Sequence, residues 1–283
     1  TNWTPRTNLR TLTLDYKSAT GPCYARFLAQ SLHRGEDYIL QIDSHMRFRP
    51  NWDVYLIEQI SKCPNPRKSV LTTYPPGYHL PNEIPDETRP TILVPWKFDY
   101  NQMLRQKGRL LKTPNNEKCG TSENEYDSTN DNIPCLLYAG GFNFAMASVV
   151  QECPYEKMHH LFFGEELNMA VRLYTHGYNL YAPPETVCYH LWSRDHRTTF
   201  QADIGTSLHV PDQHNESIRS SSEEAASVSR ETVRRRLLGN GEDCELGNIR
   251  SIKEFADALG VDFANGIICQ NAECAGLDTE SFV

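Results

Sequence analysis

Apolar and polar residues alternate over residues 9–14, a period of two that predicts a strand. Gly21 and Pro22 break the chain. The period then changes: Tyr24, Phe27, Leu28 and Leu32 share one face of a predicted helix over 23–33, which Gly35 ends. Residues 38–42 are a short apolar run, so strand, helix and strand follow in order and predict a βαβ unit with a parallel sheet. Val54, Leu56, Ile57 and Ile60 mark a second helix over 52–63, and residues 70–74 a further strand closed by Pro75, Pro76 and Gly77.

Residues 78–92, rich in Pro, Glu and Asp, read as a surface loop, and 113–133 as a long polar loop beside a site. Residues 133–150 are apolar around a central Gly pair, and 161–175 read as a loop followed by a helix. Residues 179–190 read as two strands broken at Pro183 and Pro184. A polar connection over 203–224 leads into a charged helix over 222–238. Ser251 and Glu254 form a capping box that opens a last helix running to Leu259, with Gly260 as its stop. There is no internal repeat.

Length and composition narrow the class. The 283 residues suffice for one large or two modest domains with a sizeable core. A net charge of −8, from 28 basic and 36 acidic residues, argues against a general nucleic-acid binder, which needs a basic footprint. No run reaches the length of a membrane span, and no leader opens the chain, so the expectation is a cytoplasmic protein or a processed fragment. The nine scattered cysteines contain no Cys-x-x-Cys, which disfavours a structural zinc site and suits free thiols in a reducing compartment. The sequons at Asn2 and Asn215 matter only in a secreted protein.

Four clusters carry candidate chemistry. Asp43 and His45 end the run Tyr38–Ile42, and in an extended segment residues two apart share a side. Together they offer a carboxylate and an imidazole to one divalent ion, Mn²⁺ or Mg²⁺, at the carboxyl end of a strand. The same spacing is also a common turn signal. Gly140 and Gly141 precede an apolar strand and allow a backbone to approach a ligand, or simply form a tight turn. Glu165 and Glu166 follow Gly164, with Arg172 further on; they suit sugar hydroxyls, and equally the first turn of a helix. His190 lies within an apolar strand, where a satisfied core histidine is the plainer alternative. Asp43 and His45 give it a role, because two protein ligands rarely hold a catalytic metal alone.

The order of motifs resembles a known family. Gly-Pro-Cys-Tyr-Ala-Arg (21–26) is followed by Gln-Ile-Asp-Ser-His-Met-Arg-Phe (41–48), Gly-Gly-Phe-Asn-Phe (140–144), Phe-Phe-Gly-Glu-Glu (162–166), Arg-Leu-Tyr-Thr-His-Gly-Tyr (172–178) and Tyr-His-Leu-Trp-Ser-Arg (189–194). This series looks like the GlcNAc-transferases that glycosylate hydroxyproline on the SCF ubiquitin-ligase adaptor. A more distant likeness is to the mucin-type polypeptide GalNAc-transferases.

The resemblance implies an α/β fold of GT-A type, with a Rossmann-like mixed sheet flanked by helices and part of its amino-terminal nucleotide-binding half lacking. It implies catalysis over residues 1–202, with 203–283 a connection and helical extension packing on them. It further implies a metal held by Asp43, His45 and His190, with Mn²⁺ or Mg²⁺ as the ion. UDP-GlcNAc is the implied donor, and a protein hydroxyl the acceptor, with an SCF adaptor one candidate. Arg26, Asp43, Gly140, Gly141 and Arg194 are then donor-binding, and Glu165 and Glu166 the catalytic acids. These acids are expected to bind the donor sugar or the acceptor on a retaining, front-face route. Competing expectations are the same fold with UDP-GalNAc, UDP-Gal or a glycan acceptor, and a non-catalytic glycan- or protein-binding module. A two-metal hydrolase is disfavoured, since no second carboxylate-rich cluster accompanies the first.

Overall fold

The structure, a computed structural model, describes residues 9–15, 18–112, 131–193, 213–239, 243–270, 272 and 279–280. Its elements in chain order are α1 (Pro22–Gln30), β1 (Tyr38–Ile42), β2 (Met46–Phe48), α2 (Trp52–Lys62), β3 (Ser69–Thr72), β4 (Thr91–Phe98), β5 (Leu104–Leu111), β6 (Ile133–Cys135), β7 (Phe142–Met146) and α3 (Val149–Glu152). Then come α4 (Glu165–Thr175), β8 (Asn179–Ala182), β9 (Cys188–His190), α5 (Gln213–Leu237), α6 (Ile252–Leu259), β10 (Val261–Asp262), β11 (Ile267–Ile268) and β12 (Thr279–Glu280).

A mixed five-stranded sheet, in the order β1-β7-β3-β8-β6, forms the centre. Strand alternation splits its side chains between two cores. Val70, Ala145 and Leu180 face one, with Leu167, Ala170 and Val171 of α4. Leu71, Phe144 and Tyr181 face the other, with Leu56 and Ile60 of α2. The result is a helix–sheet–helix sandwich in which each strand of the middle is apolar on both faces, as burial on both sides requires.

Several expectations need correction. Residues 9–15 form no strand: Leu9, Leu12 and Leu14 are exposed, and no described strand pairs with them. Alternation signals a strand only where a partner takes up the backbone groups. The expected βαβ unit is therefore absent. β1 pairs antiparallel with β7, and among the described strand pairs only β3 and β8 run parallel. Residues 78–92 do contain loop, but an unforeseen hairpin of β4 and β5 begins at Thr91. Its signal, the apolar run Thr91–Val94, lay at the end of a Pro- and acid-rich stretch. The charged helix begins at Gln213, nine residues before the expected start. Most of the 113–133 loop lies outside the described residues.

The segments after residue 212 attach to α4 through buried ions. Arg236 of α5 is 3% exposed. It donates to Glu156, to Asn168 of α4 and to Asp243. Arg172 of α4, 1% exposed, donates to Glu245 Oε2 at 2.8 Å and to the Pro154 carbonyl at 2.7 Å. α6 then packs Phe255 and Leu259 into the α4 core, its start fixed by the Ser251–Glu254 capping box. Among the described residues, no helix is long and apolar enough to cross a membrane.

Removing one partner of a buried ion network leaves the others unpaired in a poor solvent for charge. Arg236→Met is expected to destabilise the fold by about 3–5 kcal/mol. On the same helix Arg230 pairs with Glu223, which is 74% exposed. Arg230→Met should therefore change stability by less than about 1 kcal/mol. Urea denaturation of the two variants beside the parent tests the contrast.

Candidate functional site

The turn from β1 to β2 builds the first half of the site. β1 ends at Ile42 in the central sheet, whereas β2 pairs with β9 in a separate ribbon, Met46 opposite His190. The chain must leave one sheet for the other within Asp43, Ser44 and His45. The Asp43 N–H donates to the Gly141 carbonyl at 3.1 Å, and the Leu191 N–H to the His45 carbonyl at 3.2 Å. Asp43 and His45 therefore converge through a turn, not through strand alternation as the sequence reading supposed. The ribbon pairing delivers His190 to the same point. Its ring centroid is 4.4 Å from that of His45, and its Nε2 lies 3.4 Å from Asp43 Oδ2.

The ligand atoms of Asp43, His45 and His190 all lie within 4.8 Å of one another, a set that could hold one metal ion. His190 is 6% exposed, and both of its ring nitrogens are buried without a hydrogen-bond partner. Buried polar atoms are rarely left so, and each calls for an explanation. A cation among these three side chains supplies one, so the residues fit a divalent metal of the kind that accepts mixed nitrogen and oxygen ligands. The His190 imidazole, then Arg26, holds the Asp43 carboxyl below the usual carboxylate range, against the opposing effect of burial. Asp43 is thus kept in the ionised form that binds metal.

The second half of the site stands on α4. Gly164 precedes the helix in the left-handed region, φ 104°, and its first two residues are Glu165 and Glu166. Arg26 of α1 reaches both halves. Its Nη1 forms a short ion pair with Glu165, and its Nη2 lies 3.3 Å from Asp43 Oδ1. Burial works against the Arg26 charge, but Glu165, Tyr155, Tyr138 and Asp43 together more than offset it and hold the proton more tightly than usual. Tyr155 also donates to Glu165, at 2.5 Å. Glu166 accepts from the Gly140 N–H at 2.8 Å, from Gln106 Nε2 at 3.1 Å and from the Tyr74 hydroxyl. Burial, then the charge of Glu165, pushes the Glu166 carboxyl up to about 7.

The Gly pair sits where these groups meet. A Cβ at Gly140 would come within 2.9 Å of both Glu165 oxygens, and one at Gly141 within 3.0 Å of Asp43 Oδ2. The glycines let the chain's own charged groups approach the backbone; real Cβ atoms do not tolerate such contacts.

Together these residues line a cleft of about 630 Å³, within the ordinary range for small-molecule sites, about 300–1,000 Å³. Arg26, Asp43, His45, Gly141, Glu165, Glu166 and His190 all face it. Gly140 lies behind them, under Arg26 and Glu165. Arg194 lies outside the described residues. Sequence reasoning missed Tyr74, Gln106, Tyr155 and Trp192 as parts of the cleft and its supports. Trp192 packs tilted against the His190 ring, centroids 4.1 Å apart, and donates to the Pro75 carbonyl at 3.0 Å. Tyr74 had a signal, its place between a strand and Pro-Pro-Gly. Gln106 had none once its strand went unseen.

Among solved structures the chain is similar to the crystal structure of GalNAc-T7 with UDP, GalNAc and Mn²⁺. The identity is 14% and the TM-score 0.45, covering 84% of this chain and 43% of that one. The chain thus spans less than half the length of that protein. A search of curated proteins found no match. The family described as Glycosyltransferase (GlcNAc) matches residues 2–265. By that match over nearly its whole length, the chain belongs to the GlcNAc glycosyltransferase family.

Proposed function

We propose that the chain is a metal-dependent, retaining glycosyltransferase of GT-A type that transfers GlcNAc from UDP-GlcNAc to a protein hydroxyl, hydroxyproline or Ser/Thr. The observation that carries this reading is the convergence of Asp43, His45 and His190 in a cleft that Glu165 and Glu166 also line. In this reading residues 1–202 do the chemistry and 203–283 brace them, and an SCF adaptor is one candidate acceptor. The seven described cysteines are free thiols, which suits a cytoplasmic setting.

Asp43, His45 and His190 would hold the ion, with Mn²⁺ favoured by the two imidazoles. The metal's contribution, when bound, is to neutralise charge on the diphosphate leaving group. Arg26 adds a fixed positive charge beside it. Glu165 Oε1 already accepts from Arg26 and Tyr155, and Glu166 uses both of its oxygens. Carboxylates so committed are suited to orienting hydroxyl groups and poorly placed to attack an anomeric carbon. This favours a front-face route over a double displacement through a carboxylate nucleophile. Gly140 and Gly141 keep room for these groups, and Arg194 is proposed as a further donor contact.

With UDP-GlcNAc, Mn²⁺ and a protein acceptor, the chain is expected to release UDP, and EDTA to stop it. Asp43→Ala and His190→Ala should each lower turnover and Mn²⁺ affinity by at least about 100-fold. Turnover that survives EDTA and both substitutions would rule out the three-residue metal site. Replacing the donor with UDP-GalNAc or UDP-Gal separates the sugar from the chemistry.

Glu166 gives a pH signature. Its folded pKa lies above the unfolded value of 4.5, so the protonated carboxyl favours folding. That contribution is full below about 4.5 and is lost as pH rises through about 7. Asp43, Glu156 and Asp243 shift the other way, and their effects fall below this window. Glu166→Gln is therefore expected to flatten the decline in stability between pH 4.5 and 7, a difference on the order of 1–3 kcal/mol. Thermal melts across that range, for parent and variant, check it.

A further inference from the structure

A second cavity of about 600 Å³ shares no lining residue with the catalytic cleft. It lies where β4, the β6–β8 edge of the central sheet and the segment from Arg250 to Ala272 meet. Its walls are mainly apolar, with Leu93, Leu136, Leu180, Tyr181 and Leu259 among them. Burial pushes the thiol of Cys135, on one wall, up to about 12, the mark of surroundings that solvate charge poorly.

One cation breaks this pattern. The Arg250 guanidinium stacks on the Tyr174 ring at 4.1 Å, donates to Asn179 Oδ1 at 3.1 Å and also donates to the Tyr178 carbonyl. These contacts fix its plane and leave further N–H groups of its five-donor fork. Arg250 takes part in no ion pair among the described residues. The one lining carboxylate, Asp257, is already paired with Lys253 at 2.5 Å. Glu254 is turned to the Ser251 N–H and hydroxyl that it caps. A held guanidinium whose acidic neighbour Glu254 is committed to Ser251, at an apolar cavity of ligand size, is complementary to an anion carried on an apolar body.

We propose that this cavity is a second binding site, for an anionic amphiphile of the fatty-carboxylate class. Its head group meets Arg250 and its chain lies against Leu93, Leu136 and Leu180. The site needs neither metal nor nucleotide, so it stands or falls apart from the catalytic reading.

Decanoate below its micellar concentration is the probe, with decyltrimethylammonium as the opposite charge on the same tail. Titration calorimetry on the full chain should show one saturable decanoate site, with much weaker binding of the cationic analogue. Arg250→Gln should weaken decanoate at least about tenfold, the loss of one charge-assisted contact. Arg250→Lys should retain most of the binding. Ala258→Trp, at an exposed helix position on the cavity wall, should abolish binding while leaving the circular dichroism unchanged. No binding of decanoate, equal binding of both amphiphiles, or equal decanoate binding by Ala258→Trp would each overturn the proposal.

Discussion

The cleft depends on one partly buried cation, Arg26. Asp43, Glu165 and Glu166 bring three carboxyl groups to a single cleft of about 630 Å³. Without an opposing charge, their repulsion in a poorly solvated space would protonate them or push them apart. Arg26 lies between them, paired with Glu165 on one side and 3.3 Å from Asp43 on the other. With His190 beside Asp43, it divides the carboxyls into two kinds. Asp43 is held ionised below the usual range, whereas Glu166, out of Arg26's direct reach, is pushed up to about 7. Environment alone thus gives neighbouring acids different protonation behaviour, the condition for different roles.

α4 carries that arrangement and is held at both ends. Its amino end is fixed by the hydrogen bonds of Glu165 and Glu166 to α1, Tyr155, Gln106 and the Gly140 N–H. Further along, Asn168 and Arg172 are tied by buried ions to Glu156, Arg236 and Glu245. Over eleven residues the helix spans only about 16 Å, and little of that length is free to move. The described segments after residue 212 therefore bear on the acids of the cleft without lining it. A site whose groups must hold their geometry to fractions of an ångström gains from such supports.

Legibility in the sequence followed local physics. The helices at 23–33, 52–63, 161–175 and 251–259 were readable because period and caps are local signals, as the Ser251–Glu254 box shows. The Asp43-x-His45 pair and His190 were readable as a group only through their place in an ordered motif set. Spacing gave the wrong cause for their convergence, which is a turn between two sheets. The β4–β5 hairpin was hidden by the polar stretch before it, and with it Gln106 was lost from view. The failed strand at 9–14 is the converse: a pattern of the right period without a partner. Sheet membership is a long-range property, and a single sequence carries little of it.

The choice of two imidazoles and one carboxylate for the proposed metal follows from the same balance of charge. A second carboxylate in place of His45 or His190 would add a negative charge where Arg26 already serves two acids. Neutral imidazoles add coordinating atoms without adding charge. They also shift preference away from Ca²⁺ and Mg²⁺, which favour oxygen, toward ions that accept nitrogen. His190 is the extreme case: 6% exposed, packed against Trp192 and without a hydrogen bond at either nitrogen. Burying an imidazole so completely is unfavourable unless something satisfies it. A cation shared with Asp43 would convert that unsatisfied pair into ligands, and the folding energy forgone at His190 would be recovered only when the ion is bound.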